Sequence, residues 1–141
     1  MADPTRVAPI DILLIEDNPG DVRLVQEVHA DAAPVIATRL HVARDGDTAL
    51  DFLFRRGEYA DAPRPELVFL DPHLPQTTGD QLMAEVKGDD RLREIPIVVL
   101  TGCTGAVDLI ESRLPDADAF VTKPVDRRQL ISIVTRFTGR D

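Results

Sequence analysis

The sequence predicts an α/β fold: a doubly wound, five-stranded parallel sheet with helices on both faces. Short, nearly continuous apolar runs recur along the chain, as strands buried on both faces require. Between them lie segments of helical period with recognisable start and stop residues. The two kinds of segment alternate five times over, the pattern of a parallel sheet joined by crossover helices.

The first run is IDILLIED (10–17). Asn18-Pro19 then reads as an N-cap followed by proline at the first helical position, leading to Leu24, Val25 and Val28 on one face. VIATRLHVAR (35–44) alternates more loosely and is the second strand. Asp45 or Asp47 caps a helix carrying Ala49, Leu50, Leu53 and Phe54, with Gly57 as its stop. GEYADAPRP (57–65) reads as a surface loop. The third run, Leu67 to Leu70, ends on Asp71, and Pro72 biases that aspartate to extended geometry. Thr78 opens a helix with Leu82, Met83 and Val86 inward, ending near Gly88. IPIVVLTG (95–102) is the fourth strand, and Val107, Ile110 and Leu114 mark a weaker helix between Cys103 and Pro115. DAFVTKP (118–124) is the last strand. Asp126 and Gln129 form a capping-box-like pair ahead of Leu130, Ile133, Val134 and Phe137.

A chain of 141 residues with 43% apolar residues is the size of one domain with a real core. The expected division is an N-terminal extension at 1–9, one domain at 10–138 and a tail at 139–141, with no output domain. Neither a bilayer-spanning run nor the apolar stretch of a signal peptide occurs, so the expected location is cytoplasmic. One cysteine excludes an intramolecular disulfide and a cysteine-based structural zinc site; Cys103 reads as a small buried thiol. The net charge of −9 argues against nucleic acid as a partner. Asp outnumbers Glu 18 to 7 and Arg outnumbers Lys 14 to 2, a skew that salt adaptation or a GC-rich genome would each produce.

Function is carried by the strand ends. In a doubly wound sheet, ligands sit outside the carboxyl ends of the strands where strand order reverses, between strands 1 and 3. Glu16 and Asp17 end strand 1 and Asp71 ends strand 3, so three acids can converge on one small volume. Such crowding calls for a cation or for retained protons, and an all-oxygen pocket suits Mg2+. Thr101 closes strand 4 and Lys123 closes strand 5. A hydroxyl, a cationic point charge and a divalent metal around one carboxylate are what phosphoryl transfer to Asp71 requires.

These marks together resemble the response-regulator receiver domain: Glu16-Asp17, Asp71 in DPHLP with Gly79 opening the next helix, Thr101, and Lys123-Pro124, with 30 residues from Asp71 to Thr101 and 22 more to Lys123. The resemblance runs from Ile10 to Phe137. The blocks LLIEDNPGDVRLVQE and DFLFRRGEYADAPRPELVFLD are most similar to single-domain regulators associated with phytochrome-type histidine kinases. The resemblance implies a flavodoxin-like (βα)5 receiver fold with strand order 2-1-3-4-5. It implies a stand-alone regulator of a two-component phosphorelay that takes a phosphoryl group onto Asp71 from a histidine kinase or phosphotransfer protein. Mg2+ would be held by Asp17, Asp71 and the backbone carbonyl of His73, with Glu16 acting through water. Lys123 would pair with Asp71 or the phosphoryl oxygens, Thr101 would swing inward, Gly102 would let the loop close on phosphate, and Phe120 would be the switch aromatic. The Lys123–Pro124 bond would be cis. Output would leave through the face built by the fourth helix, the fifth strand and the fifth helix, which is also the expected homodimer surface. The only catalysis expected is of the protein's own phosphorylation and dephosphorylation.

Pro72 and His73 depart from the family pattern, which has a bulky apolar residue and often Asn there. His73 reads either as an exposed spacer or as a group that makes phosphoryl lifetime depend on pH; His29 and His41 are placed on helix and strand surfaces with no role. Two other functions compete: a docking module that is never phosphorylated, which the complete residue set argues against, and a Mg2+-dependent aspartyl-phosphate phosphatase, which usually has aspartate where His73 stands.

Overall fold

The computed structural model describes residues 9–74, 78–102, 114 and 116–139. Cys103, Val107 and Ile110, and with them the expected fourth helix, lie outside the described residues. Five parallel strands form one sheet: β1 (Ile10–Ile15), β2 (Thr38–Ala43), β3 (Leu67–Leu70), β4 (Ile97–Thr101) and β5 (Ala119–Thr122), in the order β2-β1-β3-β4-β5. The α-helices among the described residues are α1 (Pro19–Ala32), α2 (Gly46–Phe54), α3 (Gly79–Lys87) and α4 (Arg127–Thr138), which is the fifth helix of the sequence reading. No helix among the described residues is long and apolar enough to cross a membrane.

Alternation along the central strands explains both faces. Ile10, Ile12 and Leu14 of β1, with Leu67 and Phe69 of β3, pack with Val22, Leu130 and Val134 of α1 and α4. Leu13, Ile15, Val68 and Leu70 point the other way, onto Leu53, Leu82 and Val86 of α2 and α3. Central strands therefore read as unbroken apolar runs, whereas the edge strands β2 and β5 are half-buried and alternate more loosely.

Helix starts follow local chemistry. Asn18 Oδ1 accepts the Asp21 N–H at 3.1 Å and Asp45 accepts the Thr48 N–H. Thr78 with Gln81, and Asp126 with Gln129, close full capping boxes. Two details differ from expectation. Leu24 is 49% exposed, because Val22 and Ala32 set the buried stripe of α1 and Leu24 falls to its side. Helix α2 stops before Gly57: Arg55 takes the left-handed conformation at φ 56°, and the Arg56 N–H returns to the Asp51 carbonyl at 2.9 Å. Gly57, at φ 57°, opens a short 3-10 turn (Gly57–Tyr59) within the expected loop.

The histidines left without a role have structural ones. His29 Nε2 lies 2.6 Å from the Thr38 hydroxyl, tying the end of α1 to β2. His41 is half-buried, with Nε2 2.9 Å from Asp11 Oδ1 and its ring 5.2 Å from that of Phe52. Arg39 grips the same carboxylate with two bonds. Burial pushes the Asp11 carboxyl up, but Arg39 and His41 outweigh it and hold it below its ordinary value.

Candidate functional site

The sheet brings four strand ends to one place. Register pairs Ile15 with Leu70, so Glu16 and Asp71 leave neighbouring strands side by side, and the Asp71 N–H donates to the Ile15 carbonyl at 3.0 Å. The Lys123 N–H donates to the Thr101 carbonyl at 2.7 Å, which fixes the start of the next loop. The Lys123–Pro124 peptide is cis.

Lys123 is the hub. Its Nζ donates to Glu16 Oε1 at 2.6 Å, to Asp71 Oδ2 at 2.9 Å and to Asp21 Oδ2 at 2.9 Å. Glu16 is 1% exposed and Asp71 is 7% exposed. The second oxygen of Asp71 accepts the backbone N–H of His73 at 2.8 Å. The Thr101 hydroxyl donates to the Val121 carbonyl at 3.4 Å, and Phe120 packs, partly buried, against the α2–α3 side of the core.

The electrostatics separate the two strand-end acids. Burial first, and then Asp71 as hydrogen-bond partner and neighbouring charge, push the Glu16 carboxyl up to about 7. Asp71 feels the same burial, yet hydrogen bonds with Glu16, the His73 amide and Lys123 bring it below its ordinary value. Burial disfavours the Lys123 ammonium, but its contacts with Glu16, Asp71 and Asp21 prevail and raise it. Of the two acids, Glu16 is therefore the one that takes up a proton first as pH falls through about 7, and Asp71 is the one that stays the anion. An anionic carboxylate flanked by an amide and an ammonium is a nucleophile with its electron pair available.

The structure thus unites Glu16, Asp71 and Lys123, with Thr101 one strand away. Asp17 is exposed and stands outside the carboxylate group, and the side chain of His73 is exposed. Asp21, which the sequence reading passed over, takes the third place. Its signal was present: with Asn18 as N-cap, Asp21 is the third helical residue, and helical side chains lean back toward the helix start and so toward the strand ends. One oxygen each from Glu16, Asp21 and Asp71 lie within 4.8 Å of one another. An all-oxygen acidic set of this kind fits a hard divalent cation.

A family model described as the response regulator receiver domain matches residues 12–135. The chain belongs to the response-regulator receiver family. Among characterised relatives, the response regulator Rcp1 of Synechocystis sp. (strain ATCC 27184 / PCC 6803 / Kazusa) is 40% identical over 87% of this chain and 82% of its own length. The bacteriophytochrome response regulator AtBRR is similar in structure, with a TM-score of 0.81 and 38% identity over 93% of this chain and 94% of that one. The phosphorylated cyanobacterial phytochrome response regulator RcpA gives 0.74 and 37% over 94% and 91%. The Mn2+-bound form of Rcp1 gives 0.72 and 39% over 93% and 91%.

Two glycines of the receiver differ in what they do. A Cβ at Gly79 would stand 3.0 Å from the Cα of Pro72, so only glycine lets α3 start this close to the residue after Asp71. Gly79→Ala is expected to cost roughly 1–2 kcal/mol through this overpacking; unchanged urea unfolding would contradict the close approach. At Gly102 an added Cβ meets nothing within 4 Å among the described residues.

Proposed function

We propose that this receiver takes a phosphoryl group on Asp71 from a histidine kinase or phosphotransfer protein, in a reaction assisted by Mg2+. The observation that carries the reading is the Asp71 carboxylate itself: buried at a strand end, anionic, and held between the His73 amide at 2.8 Å and the Lys123 ammonium at 2.9 Å. A phosphorylated relative and a Mn2+-bound one, both phytochrome-class regulators by name or by likeness, support it. By the same likeness the kinase is of the phytochrome-associated type.

When bound, Mg2+ would draw charge from the phosphoryl oxygens. Asp17, Asp71 and the His73 carbonyl would hold it, with Glu16 acting through water; Glu16 and Asp71 belong to the group of acids whose oxygens lie within 4.8 Å of one another. The chain's own groups do the rest. Asp71 supplies the attacking electron pair, the His73 N–H and Lys123 stabilise charge beside it, and the Thr101 hydroxyl, now turned to Val121, would exchange that partner for a phosphoryl oxygen. Its movement would release Phe120 to follow, passing the change to the surface around β5 and α4, where a protein partner or a second copy would read it.

The test is intact-mass spectrometry after incubation with acetyl phosphate and Mg2+. A single gain of about 80 Da, lost in Asp71→Asn and with EDTA, is the expected result for an aspartyl phosphate. No gain in any sample would leave the docking module as the better account.

A further inference from the structure

We infer that Asp21 is a positioning residue that occupies one N–H of the Lys123 ammonium, keeping it from an incoming phosphoryl group, and thereby restrains phosphoryl uptake on Asp71, an inference that rests on the reading above. An ammonium has three N–H donors. Here each goes to a different carboxylate: Glu16 at 2.6 Å, Asp71 at 2.9 Å and Asp21 at 2.9 Å. Two of these acids end strands, while Asp21 reaches in from the first turn of α1. It stands beside a cleft of about 330 Å³ whose apolar wall includes Leu24, Val25 and Pro124. The side chain of Asp21 is 35% exposed, against 1% for Glu16 and 10% for Asp71, so its bond is the most open of the three.

The chemistry at Asp71 sets these bonds in competition. An oxygen of the Asp71 carboxylate forms a new bond to phosphorus; the bond from phosphorus to the acyl oxygen of acetyl phosphate breaks, and acetate leaves with that electron pair. No proton moves on Asp71, and its attacking oxygen gives up its charge. The incoming phosphoryl oxygens then need the ammonium, and the bonds to choose from are unequal. Glu16 is buried and its contact is the shortest, whereas Asp21 lies 35% exposed at the mouth of the cleft. Lys123 must turn from Asp21 toward the phosphoryl group, and the Asp21 charge also repels the anionic donor.

The chain has two lysines, 87 and 123, so side-chain acylation separates them cleanly. Lys87, bonded to the Arg93 and Ile95 carbonyls, is the internal reference for intact folding. The experiment compares wild type, Asp21→Asn and Asp21→Glu in two assays: acetic anhydride labelling read by peptide mass, and phosphorylation rate with acetyl phosphate at saturating Mg2+. In Asp21→Asn both Lys123 labelling and phosphorylation rate are expected to rise about threefold, the scale of a partly exposed ion pair, with Lys87 unchanged. Asp21→Glu is expected to return both toward wild type. Equal Lys123 labelling in wild type and Asp21→Asn overturns the hold on the ammonium. Raised labelling with an unchanged or slower phosphorylation rate overturns the restraint. Absence of phosphorylation in wild type overturns the phosphoacceptor reading and the restraint with it, while the labelling ratio still decides whether Asp21 holds Lys123.

Discussion

Replacing Lys123 with methionine is expected to lower the stability of the metal-free protein by about 3 kcal/mol at mildly alkaline pH, because a buried acid left without its counter-charge costs on that order. The ammonium is the only cation within hydrogen-bond reach of Asp71 among the described residues, and its side chain is 19% exposed, so water replaces it poorly. Removing it leaves Glu16, Asp21 and Asp71 facing one another with their oxygens within 4.8 Å. A raised lysine contributes stability that is fully present below its unfolded value of 10.5 and lost only as pH climbs through the higher folded value. The wild-type contribution is therefore intact throughout the neutral range. The loss in Lys123→Met should shrink as the medium is acidified, since protons then neutralise the carboxylates. A divalent cation should stabilise the variant more than the wild type, because it takes over the missing charge. Urea unfolding of both proteins, with EDTA and then with Mg2+, checks this. Equal midpoints in EDTA would mean that the carboxylates relax into solvent and that the cluster is not a buried one.

Legibility from sequence followed how local the determining physics is. The Asn18-Pro19 start, the Thr78 start and the Asp126–Gln129 box need only residues a turn apart, and all three sit where the sequence placed them; that Gln81 closes a box with Thr78 is added by the structure. The strand order came with the resemblance to receivers, whereas the meeting of Glu16, Asp71 and Lys123 was legible for a different reason. Buried parallel strands give unbroken apolar runs, and in a doubly wound sheet the residue after each run has one end of the molecule to occupy. What the residue string does not contain is side-chain rotation. Asp17 and Asp21 are both acids near the end of β1, and only the helical turn set by Asn18 aims Asp21 at Lys123 while Asp17 faces solvent. The inward face expected for Leu24 failed, since one position around α1 separates the buried stripe from the wall of the cleft. The end of α2 failed because Arg55 accepts a left-handed conformation that composition assigns to the nearby Gly57.

Stability of the metal-free protein should fall as pH rises from about 5 to about 8, by about 3 kcal/mol at most, and Glu16→Gln should abolish that fall. Glu16 carries its proton up to about 7 in the folded protein, against 4.5 as an ordinary glutamate. Between those values the folded state binds more protons than the unfolded chain, so the slope of stability against pH is negative there. The contribution is fully present below the unfolded value and is lost as pH passes through the folded one. Asp71 works in the opposite sense: its folded value lies below the ordinary 3.8, so its contribution is present above that value and lost as the solution becomes more acidic. The two acids together predict a maximum in the mildly acidic range with a decline on either side. Glutamine keeps the shape of Glu16 and can still accept from Lys123, but it has no proton to lose, so the alkaline decline should disappear while the acid decline remains. At about pH 8 the variant should then be more stable than wild type, an unusual outcome for a buried polar substitution and one that overpacking or cavity effects do not produce. Unfolding free energies measured in EDTA across the range decide it. Parallel curves for the two proteins would place the disputed proton elsewhere and would remove the electrostatic asymmetry that leaves Asp71 as the anion.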